Sequence, residues 1–77
     1  MRIIKIFGKL TDVFGTSDYQ MSEEVHTVRD LKDAIERDFP ILRTTTYFVI
    51  IGITKAEDHS IINDNDFIAL LPPYSGG

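Results

Sequence analysis

The chain has 77 residues, no cysteine and a formal net charge of −4. This length predicts a single domain with one small core, and the lack of cysteine excludes disulfides and thiolate metal ligands. The acidic balance argues against nucleic-acid binding, and no stretch approaches the roughly 20 apolar residues of a membrane span. We therefore expect a soluble, cytoplasmic protein with no nucleic-acid or membrane partner.

The N-terminal part of the chain predicts two strands. Residues 2–8 are rich in Ile and Phe, and their alternation places Ile4 and Ile6 on one face and Phe7 on the other. A turn-forming Gly-Thr-Ser run follows, and a short second strand is predicted over residues 18–22.

The middle of the chain predicts one amphipathic helix. Thr27 is a suitable N-cap, and Asp30 three residues later approximates a capping box. Pro40 should end the helix at or before the preceding residue. The apolar residues that recur at helical spacing are Val28, Leu31, Ala34, Ile35 and Phe39.

The C-terminal part predicts further strands. Residues 47–53 form a continuous apolar run typical of a central strand, and residues 60–62 could add a short one. Residues 63–66 form a turn cluster in which Asn65 suits a positive φ. A last strand over residues 67–71 is stopped by two prolines.

This order of elements predicts an α+β domain of the β-grasp type. We expect a mixed sheet of four to five strands with one main helix packed on one face, and the first and last strands parallel at the sheet centre. Residues 1–71 should form the domain, and residues 72–77 a flexible tail ending in Gly-Gly.

One sheet face is predicted to have no cover in this chain. If Ile4, Ile6, Ile68 and Leu70 face the helix, then Phe7, Phe67 and Leu71 point away from it, and Phe48 and Ile50 can join them. Contiguous exposed apolar side chains mark a partner surface. The alternative is that the strand phases are shifted by one residue, which would place these side chains in the core.

The body of the chain offers no catalytic set. His26 and His59 lie in predicted loops without partners at metal-ligand spacing, and no nucleophile–base arrangement is supported. The chain is therefore predicted not to be catalytic alone, with no bound cofactor and no metal.

The terminal Gly76 and Gly77 suit acyl chemistry. Glycine has no Cβ, so the chain can enter a slot closed to other residues. An α-carboxylate has a pKa of about 3.3–3.7, so at neutral pH it is ionised and needs activation, for example by a partner that uses ATP to adenylate it. From Pro72 to Gly77 the extended chain reaches roughly 20 Å, enough to enter another protein's active site.

The ending Pro72-Pro73-Tyr74-Ser75-Gly76-Gly77 resembles that of the MoaD family, the small subunits of molybdopterin synthase within the MoaD/ThiS ubiquitin-like superfamily. Weaker likeness lies in Phe7-Gly8 after the first strand and in Thr27-Val28 at the start of the helix. The resemblance extends weakly over the whole chain.

The resemblance implies a sulfur carrier. An adenylyltransferase related to ubiquitin-activating enzymes would adenylate Gly77 with ATP, and a sulfur donor would convert it to a thiocarboxylate. The tail, with Gly76 giving clearance, would enter the large synthase subunit and pass sulfur to cyclic pyranopterin monophosphate in molybdenum cofactor biosynthesis. The residues implied to contact partners are Phe7, Phe67, Leu71, Pro72, Pro73, Tyr74 and Ser75.

Departures from the family pattern leave alternatives open. Asn65 stands where the family usually has Gly, and Lys55 where an apolar contact residue is common. A thiamine-type sulfur carrier or a ubiquitin-like modifier of lysines could use the same Gly-Gly end. A plain β-grasp interaction domain with an inert tail is the remaining alternative.

Overall fold

The structure, a computed structural model, describes residues 1–73, so the predictions for Tyr74, Ser75, Gly76 and Gly77 lie outside the described residues. Five strands, two α-helices and one 3₁₀ turn follow one another within residues 1–73. In order they are β1 (Arg2–Ile6), α1 (Leu10–Phe14), β2 (Asp18–Met21), α2 (Val28–Asp38), the 3₁₀ turn (Pro40–Thr44), β3 (Phe48–Ile51), β4 (Thr54–Lys55) and β5 (Ile68–Leu71).

The strands form one mixed sheet in the order β2-β1-β5-β3-β4. β1 and β5 run parallel, with Ile4 beside Ile68 and Ile6 beside Leu70, and the other neighbours are antiparallel. β5 occupies the centre, with β1 on one side and β3 on the other, and its Ile68, Ala69 and Leu70 are all buried. The predicted α+β, β-grasp architecture is confirmed.

Helix α2 begins at the predicted capping box. The Thr27 Oγ1 accepts a hydrogen bond from the Asp30 N–H (3.1 Å), and the Asp30 carboxylate accepts from the Thr27 N–H (3.2 Å). A further hydrogen bond from the His26 N–H is the main reason that the pKa of Asp30 lies below its ordinary value. The helix ends at Asp38, directly before Phe39 and Pro40, as predicted.

The core lies between α2 and the sheet, and it confirms the predicted strand phases. Ile4, Ile6, Ile68 and Leu70 are at most 2% exposed. The helix covers them with Val28, Leu31, Ala34 and Ile35, which are buried to the same extent. The alternative of strands shifted by one residue is therefore wrong.

The structure differs from the prediction between β1 and β2. β1 ends at Ile6, and a one-turn helix, α1, follows it. Leu10 and Phe14, four residues apart, both turn into the core, and Gly15 ends the helix in the left-handed region at φ 75°. Five residues are too few for a periodic pattern to reveal such a helix.

The C-terminal half also differs. The run predicted as one strand over residues 47–53 ends at Ile51, because Gly52 adopts φ 66° and starts a hairpin to β4. β3 therefore lies between β5 and β4, one position from the edge and not at the centre. The run predicted as a strand over residues 60–62 provides only a bridge between Ile61 and Thr27.

The prediction of a positive φ at Asn65 is wrong, since Gly8, Gly15 and Gly52 are the only positive-φ residues in the range 1–73. The turn closes differently. The Asp66 carboxylate accepts from the Asn63 N–H (2.8 Å), and the Asp66 N–H donates to the Asn63 carbonyl (3.1 Å). This pair of bonds closes the turn without a left-handed residue.

Candidate functional site

The sheet face turned away from α2 carries exposed apolar side chains. We call this surface the open face. Three of its aromatic and aliphatic members are strongly exposed, namely Ile3 (44%), Phe7 (43%) and Phe67 (53%). Its other members in the described chain are Lys5, Phe48, Ile50, Lys55, Ala69 and Leu71.

Phe7 and Leu71 lie beside each other at the end of the sheet where the chain leaves β5. The parallel register pairs Ile6 with Leu70, and the Phe7 N–H donates to the Leu70 carbonyl (3.1 Å). The antiparallel register places Phe48 directly opposite Leu71. Three strands thus contribute one apolar row, the exit row of Phe7, Leu71 and Phe48, next to the start of the tail.

Phe67 lies at the other end of the same face. Its carbonyl accepts from the Gly52 N–H (2.8 Å), which anchors it to the β3–β4 turn. Leu71 is four positions further along the chain, roughly 13 Å away at about 3.3 Å per residue. The structure therefore groups Phe7 and Leu71 and places Phe67 apart from them on the open face.

The two prolines begin the tail beside the exit row. Pro72 is half-buried and its ring lies against Gly8, whereas Pro73 is exposed. The predicted contact residues Phe7, Leu71 and Pro72 are thus neighbours. Gly8 was missed as a site residue, because its contact with Pro72 depends on the register of β1 against β5, which the sequence pattern does not give.

The open face carries charge at its margins. Lys5 pairs with Asp18 across β1 and β2, and the Lys55 Nζ lies 4.0 Å from the centre of the Phe48 ring. A cation over an aromatic face is attracted by the ring quadrupole. In the sequence, Lys55 stands out only as a departure from the family pattern. Its position over the Phe48 ring depends on the short strand β4, which was not predicted.

The opposite side of the molecule is charged and internally paired. Asp58 accepts hydrogen bonds from Lys32 Nζ (2.7 Å) and Arg29 Nη2 (2.9 Å), which ties the loop before Ile61 to α2. The hydrogen bond from Lys32 is the first cause of the lowered pKa of Asp58. A partner gains less binding energy from a surface whose charges are already paired than from an exposed apolar face.

Acid–base and metal chemistry find no support within residues 1–73. His26 and His59 are both exposed, and no group of three acidic or histidine side chains in this part of the chain is placed to hold a metal ion. Nor does any helix of the described chain have the length and apolar character needed to cross a bilayer. What the described residues offer is an exposed apolar face beside the start of the tail.

Comparison with known sequences finds a family match over nearly the whole chain. The model of the ThiS family matches residues 4–77, which is nearly the whole chain and includes the Gly-Gly end. No curated protein matches the chain in sequence.

Solved structures with the same fold cover almost all of the chain. SAMP1 from Haloferax volcanii is 27% identical, with 97% of both chains covered and a TM-score of 0.75. A Pyrococcus furiosus protein assigned as molybdopterin converting factor subunit 1 is 14% identical, with 94% and 95% covered and a TM-score of 0.81. A chain from the BexX/CysO complex of Amycolatopsis orientalis is 17% identical, with 97% and 98% covered and a TM-score of 0.74. At these identities the last two show the fold alone.

Proposed function

Because the chain belongs to the ThiS family and has the ubiquitin-like fold of sulfur carriers and modifiers, we propose that it is the sulfur-carrying small subunit of a molybdopterin synthase. The observation that carries the proposal is the extent of the family match, which includes both the folded body and Gly76-Gly77. The Pro72-Pro73 pair before them favours the molybdopterin branch over the thiamine branch. The Pyrococcus furiosus protein, assigned to the molybdopterin converting factor, has the same fold.

In this proposal the terminal carboxylate of Gly77 is the reacting group. It attacks the α-phosphorus of ATP in the active site of an adenylyltransferase related to ubiquitin-activating enzymes, and pyrophosphate leaves. A sulfur nucleophile then attacks the activated carbonyl and expels AMP, which leaves a thiocarboxylate. Adenylation is needed because a carboxylate with an ordinary pKa of about 3.3–3.7 is ionised at neutral pH and is a poor electrophile. In this proposal ATP is therefore bound and consumed by the partner adenylyltransferase and not by this chain.

The folded body presents the tail to its partners. Phe7 and Leu71 are exposed or half-buried beside the start of the tail, so a partner that covers the exit row also receives the tail. Buried aromatic and aliphatic anchors supply most of the binding energy of protein interfaces. We propose that the adenylyltransferase and the large synthase subunit both bind this surface. The Amycolatopsis orientalis chain of the same fold comes from a BexX/CysO complex, which is consistent with the proposal that this chain also acts in a complex with a partner.

The experiment that tests the proposal is a mass measurement followed by a transfer assay. Incubation with the cognate adenylyltransferase, ATP and a sulfur source should raise the intact mass by the difference between one sulfur and one oxygen atom. A variant lacking Gly77 is the control and should keep its mass. The thiocarboxylated chain, mixed with the large subunit and cyclic pyranopterin monophosphate, should then yield molybdopterin. An unchanged mass with an active adenylyltransferase would contradict the carrier role.

The same experiment separates the alternatives. A thiocarboxylate that forms but yields no molybdopterin with the large subunit would point to a thiamine-type carrier. A modifier would instead leave its C-terminus on lysines of other proteins. Cleavage after Tyr74 would then leave a Ser-Gly-Gly remnant on those lysines, which mass spectrometry of the cell's proteins detects.

A further inference from the structure

We propose that Gly8 is a positioning residue for the C-terminal tail: its bare backbone seats the Pro72 ring and so sets the direction in which the chain leaves the sheet. The inference rests on the proposed function for the task of the tail, which is delivery of Gly77 into a partner's active site. The seat itself is a property of the folded chain and can be measured without any partner.

The contact leaves no room for a side chain at Gly8. A Cβ atom built on Gly8 would lie 2.8 Å from Pro72 Cγ and 3.3 Å from Pro72 Cδ. Carbon atoms in favourable contact are about 3.5–4.0 Å apart, so any other residue at this position must displace the ring. A proline ring is closed onto its own backbone nitrogen and cannot rotate away as a flexible side chain would. Displacing the ring therefore displaces the chain at Pro72.

Hydrogen bonds hold the backbone on both sides of this contact. The Gly8 carbonyl accepts hydrogen bonds from the Thr11 Oγ1 (2.8 Å) and the Thr11 N–H (3.2 Å). On the other side, the Phe7 N–H donates to the Leu70 carbonyl two residues before Pro72. The seat thus lies just beyond the ends of β1 and β5 and is held by the first turn of α1 and by the hydrogen bond between Phe7 and Leu70.

The ring contact guides the chain where hydrogen bonds no longer can. Pro72 and Pro73 have no N–H group, so neither can donate to the strand ladder that directs the backbone up to Leu71. After Leu71, we propose, the packing of the Pro72 ring on Gly8 orients the backbone. The fixed φ of both prolines carries this orientation toward the tail.

Gly15 and Gly52 provide matched controls. Like Gly8 at φ 60°, they adopt positive φ, at 75° and 66°. A Cβ atom at either would meet nothing within 4 Å. Alanine at Gly15 or Gly52 therefore introduces the backbone strain of a left-handed residue, whereas alanine at Gly8 adds the collision with Pro72.

The first test compares the variants G8A, G15A and G52A in ATP–pyrophosphate exchange with the cognate adenylyltransferase. All three should lose thermal stability through the strain of a left-handed residue, and G8A should lose somewhat more because of the collision with Pro72. Only G8A should lower kcat, by about tenfold, with KM close to that of the wild type, because misplacing a reacting group by about 1 Å costs up to a hundredfold in rate. An equal kcat for G8A and G15A would overturn the positioning role.

The second test removes the colliding ring atoms. Pro72→Ala lacks the Cγ and Cδ that a Cβ on residue 8 would meet. In the P72A background the Gly8→Ala substitution should therefore have little further effect on kcat, so the two changes are not additive. If Gly8→Ala lowers kcat by the same factor with and without the proline, the contact does not position the tail.

A third measurement uses the isolated wild-type chain. Nuclear Overhauser effects between the Gly8 Hα protons and the Pro72 ring protons should be present in solution, and their absence would overturn the seat. If the wild type supports no ATP–pyrophosphate exchange at all, the proposed function fails, and this measurement still tests the seat. If the wild type supports exchange and G8A matches G15A, the proposed function stands and the positioning role fails.

Discussion

Phe7 combines high exposure with a position beside the tail, so the binding role that we propose for it can be tested apart from any role in stability. At 43% exposure it contributes little to the core, yet it belongs to the exit row with Leu71 and Phe48. Aromatic residues in such positions are the usual anchors of protein interfaces. In our proposal the Phe7 side chain therefore contributes to the binding energy of the complex and little to the stability of the isolated chain.

We predict that Phe7→Ser weakens binding to the large synthase subunit by about 2 kcal/mol, roughly 30-fold in Kd. Its free energy of unfolding should change by less than about 0.5 kcal/mol, as at other exposed sites. Isothermal titration calorimetry and urea unfolding measure the two quantities. Ile53→Ser is the matched control, because Ile53 is fully exposed in the β3–β4 turn and off the exit row. Equal binding by the two variants would contradict a docking role for Phe7.

At the scale of the element, β5 is the strand on which core and site meet. Its central place in the sheet buries Ile68 and Leu70 against the core around α2. The alternation of side chains turns Leu71 toward the open face. One strand thus carries a residue that stabilises the fold next to a residue that the proposal assigns to binding.

The adjacent leucines allow a test within one strand. Leu70→Ala should lower the free energy of unfolding by about 2–5 kcal/mol, because it leaves a cavity in the core. Leu71→Ala should cost less than half as much, since Leu71 is already partly exposed, but it should weaken binding to the large subunit more than tenfold. Thermal unfolding and calorimetry give both values. If Leu71→Ala bound as tightly as the wild type, the open face would not be the docking surface.

At the scale of the whole molecule, paired charges dominate the α2 side, whereas the open face is mainly apolar and has Lys5 and Lys55 as its charged members in the described chain. The α2 side holds paired charges, among them Asp58 with Lys32 and Arg29, and these pairs join a distant loop to the helix. The open face borders the tail. This division lets the charged side be altered without altering the surface that the proposal assigns to partners.

Acid should loosen the tie between the loop and α2. The hydrogen bond from Lys32 lowers the pKa of Asp58, so the folded state binds its proton less readily than the unfolded state. The stability from this group is therefore present above the ordinary Asp pKa of about 3.9 and is lost as the pH falls through the lower folded value. Urea unfolding between pH 6 and about pH 3 should show this loss, and Asp58→Asn should show less of it. An equal pH dependence in the variant would contradict the assignment.

Much of the fold was predictable from local chemistry. The capping box of Thr27 and Asp30 and the proline after Phe39 bound α2 as predicted, because caps and breakers act through neighbouring residues. The strand faces followed from the alternation of Ile4, Ile6, Ile68 and Leu70. The short elements α1 and β4 were not predictable, since each depends on burial or pairing that distant residues provide.

By itself, the sequence determined the class of the fold, the helix with both its ends, the apolar open face and the Gly-Gly ending, because periodicity, caps and composition are properties of adjacent residues. Only the tertiary structure decided which apolar residues lie together. The parallel pairing of β1 with β5 joins residues more than sixty positions apart, and it places Phe7 beside Leu71 and Gly8 beneath Pro72. The parallel pairing itself was expected from the sequence, but which residues meet across it depends on the register, and a long crossover does not fix the register as a tight turn would.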